Sequence, residues 1–168
     1  MDTVLSEAYY KGVPAEQRER LYAFRASHPC KEIEISGNRW SYLLSGQGAE
    51  TLVILPGGER IGDMGFPLMQ HLEPEYRCLY PSYPALPKIG SIVDGLAALL
   101  DQLSIGKVML LAGSFGGAVG QCFVRRHPER VSKLILLNTG FPDKRLGKAA
   151  QLVKPIVNCS LSVWCAPC

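Results

Sequence analysis

The chain has 168 residues, of which 47% are hydrophobic and 20% are charged. This composition fits one globular domain with a buried core and excludes a chain that is disordered throughout. The 18 Lys and Arg residues against 15 Asp and Glu leave a formal charge of +3, and the basic residues are scattered, so we expect no nucleic-acid partner. The opening MDTVLSEAYYKG lacks an apolar signal segment, which makes a cytoplasmic location the default expectation.

The first predicted element is an N-terminal helical arm, residues 1–29, in which Pro14 suits the first turn of a helix. Residues 32–35 and 40–44 then predict an antiparallel hairpin that turns at Gly37 and Asn38. Residues 51–55, TLVIL, form a continuous apolar run of the kind that a parallel sheet buries on both faces.

Helices and strands alternate after this run. The patterns predict helices at 61–72, 92–103 and 115–126, and strands at 76–80, 107–111 and 133–137, with Ser91 and Asp94 capping the second of these helices. The predicted class is therefore α/β, a mostly parallel sheet with helices on both faces. Residues 108–124 contain no charge, but the glycines around their serine favour a buried strand, turn and helix over a transmembrane segment.

The six cysteines are expected to be reduced thiols, since no export signal is seen. The final WCAPC resembles the redox motif of thioredoxin-like proteins, in which a helix follows the motif, but this sequence ends at Cys168. We therefore expect no redox function, and no metal or cofactor is implied.

The segment LAGSFGG, residues 111–117, has the pattern of a turn that exposes a nucleophile between a strand and a helix. Ser114 is the candidate nucleophile, and Ala112 and Gly116 are small enough to let the two backbones pack beneath it. The free backbone N–H of Phe115 can stabilise a developing oxyanion, and we expect a second donor at Gly58. A glycine-rich turn that serves packing alone is the alternative.

Several motifs together resemble the N-terminal half of α/β-hydrolase-fold proteins over residues 31–143. They are FRASHPCKEIEISGNRWSYLLSG, LPGG, YRCLYPSYP, LLAGSFGGAVGQ and LILLNTGFPD, and the sequence is most similar to maspardin-like proteins. The resemblance implies a serine hydrolase acting on an ester, thioester or amide, with a small acyl substrate. It also leaves open a non-catalytic module that binds a protein partner, as the maspardin-like group suggests.

A serine nucleophile needs a base, and the family's histidine lies after the last strand. Here His28 lies in the arm, His71 lies near the end of a helix that leads away from the site, and His127 lies about 18 Å from Ser114 along its helix. We expect all three to be surface residues and the chain alone to be inactive. Asp143 is a candidate catalytic acid, with a simple turn residue as the alternative.

Residues 144–168 read as the start of a cap region followed by a tail, NCSLSVWCAPC, that resembles nothing in the family. One hypothesis is that the sequence is truncated, or read in a different frame, near this point. A parallel sheet that stops after the strand at 133–137 would leave an exposed edge, which predicts dimerisation or aggregation through it.

Overall fold

The computed structural model describes residues 12–60 and 65–140. Its four α-helices are α1 (Ala15–Ser27), α2 (Phe66–Leu72), α3 (Ile89–Gln102) and α4 (Ser114–Arg126), and a short 3-10 helix covers Pro128–Arg130. Its six strands are β1 (Lys31–Ile35), β2 (Asn38–Ser45), β3 (Thr51–Leu55), β4 (Arg77–Ser82), β5 (Val108–Gly113) and β6 (Val131–Leu137). Each described α-helix and strand falls where the sequence patterns predict one, with ends that differ by a few residues.

All six strands form one sheet in the order β1-β2-β4-β3-β5-β6. The pairings of β3 with β4, β3 with β5, and β5 with β6 are parallel, whereas β1 and β2 form an antiparallel hairpin that joins the sheet along β4. The α/β class is confirmed. Because β3, β4, β5 and β6 are parallel, the loops that follow them meet at one edge of the sheet, where open α/β proteins place ligands.

Both faces of the sheet are buried, as the continuous apolar runs predict. Alternate residues of β3 face opposite sides: Val53 and Leu55 belong to the core beneath α3 and α4, and Leu52 and Ile54 to a second core that includes Phe24 of α1 and Met69 of α2. The period of two along a strand explains the alternation. Helices therefore cover both faces, as predicted.

Two local predictions were wrong. The hairpin turns at Ser36 and Gly37, both with positive φ, so that Asn38 is already the first residue of β2. The helix predicted to begin near Ser91 begins at Ile89 with Lys88 as its N-cap and no side-chain cap bond. The Asp94 carboxylate instead accepts a hydrogen bond from Arg126 of α4 at 2.6 Å, which ties the two helices together.

The arm helix α1 is attached to the sheet by His28. The His28 ring stacks on Phe24 with 4.1 Å between centroids, and its Nε2 lies 2.8 Å from Glu73 Oε2. Ser45 Oγ donates to the same Glu73 oxygen at 2.6 Å. His28 is thus half-buried in a polar cluster, and its predicted place on the surface was wrong.

Strand β6 ends the described sheet, and its apolar side chains are poorly covered. Ile135, Leu136 and Leu137 are 44%, 39% and 50% exposed. The exposed edge that the sequence predicts is therefore present among the described residues. Within the same residues, no helix is long and apolar enough to cross a membrane, and no cluster of His, Cys, Asp and Glu could hold a metal ion.

Candidate active site

Ser114 lies at the junction between β5 and α4 and is exposed. Its φ of +49° is in the left-handed region, which is uncommon for a residue with a side chain. Gly113 before it is still extended, with φ −109° and ψ 150°. The chain therefore turns sharply at one residue and presents the Ser114 hydroxyl at the carboxyl edge of the sheet.

Small residues on either side allow this turn. A Cβ added to Gly116 would lie 2.4 Å from the carbonyl oxygen of Leu55 and 2.6 Å from that of Pro56. Both obstacles are backbone atoms at the end of β3, so only glycine lets α4 approach so closely. Ala112 is fully buried and faces Gly120 of α4. A Cβ added to Gly120 would lie 3.2 Å from the Cβ of Ala112.

The two predicted oxyanion donors follow strands at this same edge. The N–H of Phe115 belongs to the first turn of α4 and so has no partner within the helix. Gly58 is exposed in the loop after β3, and its N–H makes no hydrogen bond with a described residue. The neighbouring Gly57 N–H, by contrast, donates to Glu59 Oε1 at 2.9 Å. The role of Gly58 and Phe115 as donors stays a prediction.

The segment after β6 holds the turn from the other side. Thr139 Oγ1 donates to the Ser114 carbonyl oxygen at 2.7 Å, and Gln121 Nε2 donates to Gly117 O at 3.1 Å and Gly140 O at 2.9 Å. A Cβ on Gly117 would lie 2.3 Å from Thr139 Oγ1. The sequence alone does not single out Thr139; its only signal is its position after a predicted strand.

Thr139→Val is expected to slow the reaction of Ser114 with a fluorophosphonate by three- to tenfold, because the Ser114 carbonyl loses the donor that fixes it. Stability should fall by only about 1 kcal/mol, the usual net worth of one hydrogen bond. Thr139→Ser keeps the hydroxyl and should restore the rate. Labelling rates of the folded variants check this, and an unchanged rate in Thr139→Val would remove Thr139 from the site.

None of the three histidines lies at this edge. His28 and Glu73 are near Ser45, which pairs with Cys78 at the amino end of β4, the opposite edge of the sheet. His71 is exposed near the end of α2, six residues before β4 begins, and so lies at that opposite edge too. His127 is the C-cap of α4, half-buried, with its ring 5.0 Å from that of Phe123.

Other predicted features can be placed only in part. Asp143, residues 144–168 and WCAPC lie outside the described residues. Among the described cysteines, Cys78 and Cys122 are free thiols. Burial, with a smaller contribution from the charge of Glu73, raises the pKa of Cys78 to about 11, so this thiol is not ionised at neutral pH.

Comparison with known proteins identifies the class. A family model described as alpha/beta hydrolase fold matches residues 50–154, more than half of the chain. The chain belongs to the α/β-hydrolase-fold family, which confirms the coarser part of the resemblance. The finer likeness to maspardin-like proteins stays a prediction.

Individual relatives agree with this assignment. The chain is 28% identical over 126 residues to cis-3-alkyl-4-alkyloxetan-2-one decarboxylase of Shewanella oneidensis, covering 66% of this chain and 39% of that protein. It is 33% identical over 109 residues to 2-hydroxy-6-oxononadienedioate/2-hydroxy-6-oxononatrienedioate hydrolase of Escherichia coli, covering 56% and 38%. The crystal structure of Cfl2 from Burkholderia cenocepacia superposes with a TM-score of 0.63 at 26% identity, covering 67% and 42%. The chain thus spans less than half the length of each.

Proposed function

We propose that Ser114 is the acyl-accepting nucleophile of a serine-hydrolase-type site that acts on an ester, thioester or amide. The observation that carries this proposal is the exposed Ser114 at φ +49°, held above Gly116 where α4 contacts the end of β3. The backbone N–H groups of Phe115 and Gly58 would stabilise the tetrahedral oxyanion. No metal or cofactor takes part in this chemistry.

The proposed site is incomplete in one respect. The sequence contains three histidines, and each lies away from Ser114, so none of them can act as the general base of the proposed site. Asp143, three residues beyond the described segment that follows β6, is proposed as the acid that would orient a general base. Without the base, the loss of turnover is on the order of a millionfold.

The relatives' names support acyl chemistry in general terms. One names a hydrolase of a dioate, and the other a decarboxylase of an oxetan-2-one, which is a cyclic ester. The chain spans less than half of either protein, so their particular substrates do not transfer to it. The substrate class proposed for this chain is a small acyl compound.

Reaction with a fluorophosphonate probe tests the nucleophile. The wild-type chain should form a covalent adduct slowly, since no histidine acts as the base and the oxyanion donors with binding alone retain about a thousandfold acceleration over the uncatalysed reaction. Ser114→Ala should lower that rate at least a hundredfold. Ser104→Ala is the matched control, because Ser104 is also exposed with φ +52° but lies at the end of α3. Equal labelling of the wild type and Ser114→Ala would contradict the proposal.

The second candidate is a non-catalytic, maspardin-like interaction module. The observation that favours it is the position of all three histidines away from Ser114. In that case the exposed apolar side chains of β6 would contact the protein partner or a second copy. A folded chain that does not react with the probe would favour this function over the first.

A further inference from the structure

Arg60 lies in the loop after β3 and its backbone is fixed at both ends. Its N–H donates to Gly57 O at 3.2 Å, and its carbonyl accepts from Tyr83 N, in the loop after β4, at 3.0 Å. Its φ is +61°, a conformation that costs free energy for any residue except glycine. The loop thus holds one arginine in a fixed position at the edge where Ser114 lies.

The Arg60 guanidinium lies over the ring of Phe115, with 5.1 Å from Cζ to the ring centroid. Phe115 directly follows Ser114, so the cation lies over the ring of the residue next to the candidate nucleophile. Arg60 makes no side-chain hydrogen bond or ion pair with any described residue, and the neighbouring Glu59 carboxylate accepts instead from Gly57 N–H. Stacking on an aromatic ring leaves the planar N–H edge of a guanidinium free to bind an anion.

Tyr83 supplies a second, independent observation. Tyr83 is 6% exposed, its ring meets Phe115 edge-on at 6.3 Å, and its hydroxyl has no hydrogen-bond partner among residues 12–60 and 65–140. A buried hydroxyl without a partner costs folding free energy, and in a ligand site it can donate a hydrogen bond to the bound ligand. Burial, with smaller contributions from Tyr80 and Glu59, raises the pKa of Tyr83 well above its ordinary value, so the group stays a neutral donor; Arg60 acts in the opposite direction.

We propose that Arg60, with Tyr83 beside it, forms an anion-binding subsite for a carboxylate group, so that the compound bound at Ser114 is an anionic acyl compound. The N-terminus of α4 adds positive potential at the same place. The inference deepens the proposed function, and its acyl part rests on that function. The binding of a carboxylate by Arg60 does not require Ser114 to react.

A purely structural role for Arg60 predicts a different result. If the guanidinium served only to cover Phe115, its removal would weaken charged and neutral ligands alike. If it binds a carboxylate, its removal weakens binding of the charged ligand far more than of the neutral one, because only the carboxylate forms an ion pair with the guanidinium. Two small ligands of the same shape, hexanoate and hexanamide, separate these roles.

The test is a titration of the folded chain with each ligand, in which saturation-transfer NMR measures binding. Wild type and Ser114→Ala should both bind hexanoate about tenfold more tightly than hexanamide, and this preference should fall with added NaCl. Arg60→Gln should bind the two equally, and Arg60→Lys should keep part of the preference. Arg39→Gln is the matched control, since Arg39 is a 74% exposed cation on β2.

Two results would overturn the subsite. The first is that the wild type binds hexanoate no more tightly than hexanamide; this result overturns the subsite even if Arg60→Gln does not fold. A preference that persists in Arg60→Gln would place the carboxylate on the backbone donors of the oxyanion site instead. Failure of the fluorophosphonate reaction with an intact hexanoate preference would count against the proposed function alone, so the two failures are distinguishable.

Discussion

Gly116→Ala is expected to destabilise the chain by about 3 kcal/mol and to lower the fluorophosphonate labelling rate at least tenfold. The added methyl would lie 2.4 Å from Leu55 O and 2.6 Å from Pro56 O, and neither backbone carbonyl can move without displacing the end of β3. The start of α4 must therefore shift away from the sheet, and Ser114 with it. Urea denaturation and the labelling rate measure the two effects.

Gly113→Ala is the matched control for this prediction. It adds the same methyl three residues earlier, where the nearest atom, Leu137 O, is at an ordinary distance of 3.5 Å. Its φ of −109° suits any residue. Gly113→Ala should thus stay within about 1 kcal/mol of wild type. If Gly116→Ala destabilised the chain no more than Gly113→Ala does, this result would contradict the close contact between α4 and the end of β3.

Trp40→Ala is expected to cost about 3–5 kcal/mol of stability, the range for removing a buried tryptophan. Trp40 lies on β2, is 1% exposed, and meets Tyr83 edge-on with 6.1 Å between ring centroids. Circular dichroism during urea denaturation measures the loss, since the fluorescence of Trp40 is removed with it. Arg39→Ala, at the exposed neighbouring position, should change stability by less than about 0.5 kcal/mol.

A double-mutant cycle tests the packing of Trp40 against α3 without relying on the absolute stability of the chain. A Cβ on Gly95 of α3 would lie 2.2 Å from Trp40 Cζ2, so Gly95→Ala should destabilise the wild type. In the Trp40→Ala background the obstacle is gone and alanine is the better helix former by about 1 kcal/mol, so the same change should be neutral or stabilising. Additive effects of the two substitutions would contradict this contact.

The order and type of the elements could be predicted because they depend on local patterns. The run TLVIL at Thr51–Leu55 predicts a strand buried on both faces, and its residues do alternate between the two cores. The serine between small residues predicts a sharp strand-to-helix turn, and Ser114 has the positive φ such a turn needs. In both cases the signal is contained within a few consecutive residues.

Contacts between distant segments could not be predicted in the same way. Asp94 suits a helix cap locally, yet it binds Arg126, 32 residues later. The sequence predicts that His28 lies on the surface, but its ring contacts Glu73, 45 residues later. Thr139 and Arg60 likewise become site residues only because the parallel strands bring their loops to the edge where Ser114 lies. No periodicity in a single sequence records such pairings.

Mapping of the fluorophosphonate adduct by peptide mass spectrometry tests the central claim most directly. We expect one dominant adduct, on the peptide that contains Ser114, at a site that Ser114→Ala removes and Ser104→Ala leaves in place. An adduct of equal yield on another serine or on Tyr83, with Ser114 unmodified in a folded chain, would contradict the assignment of Ser114 as the nucleophile.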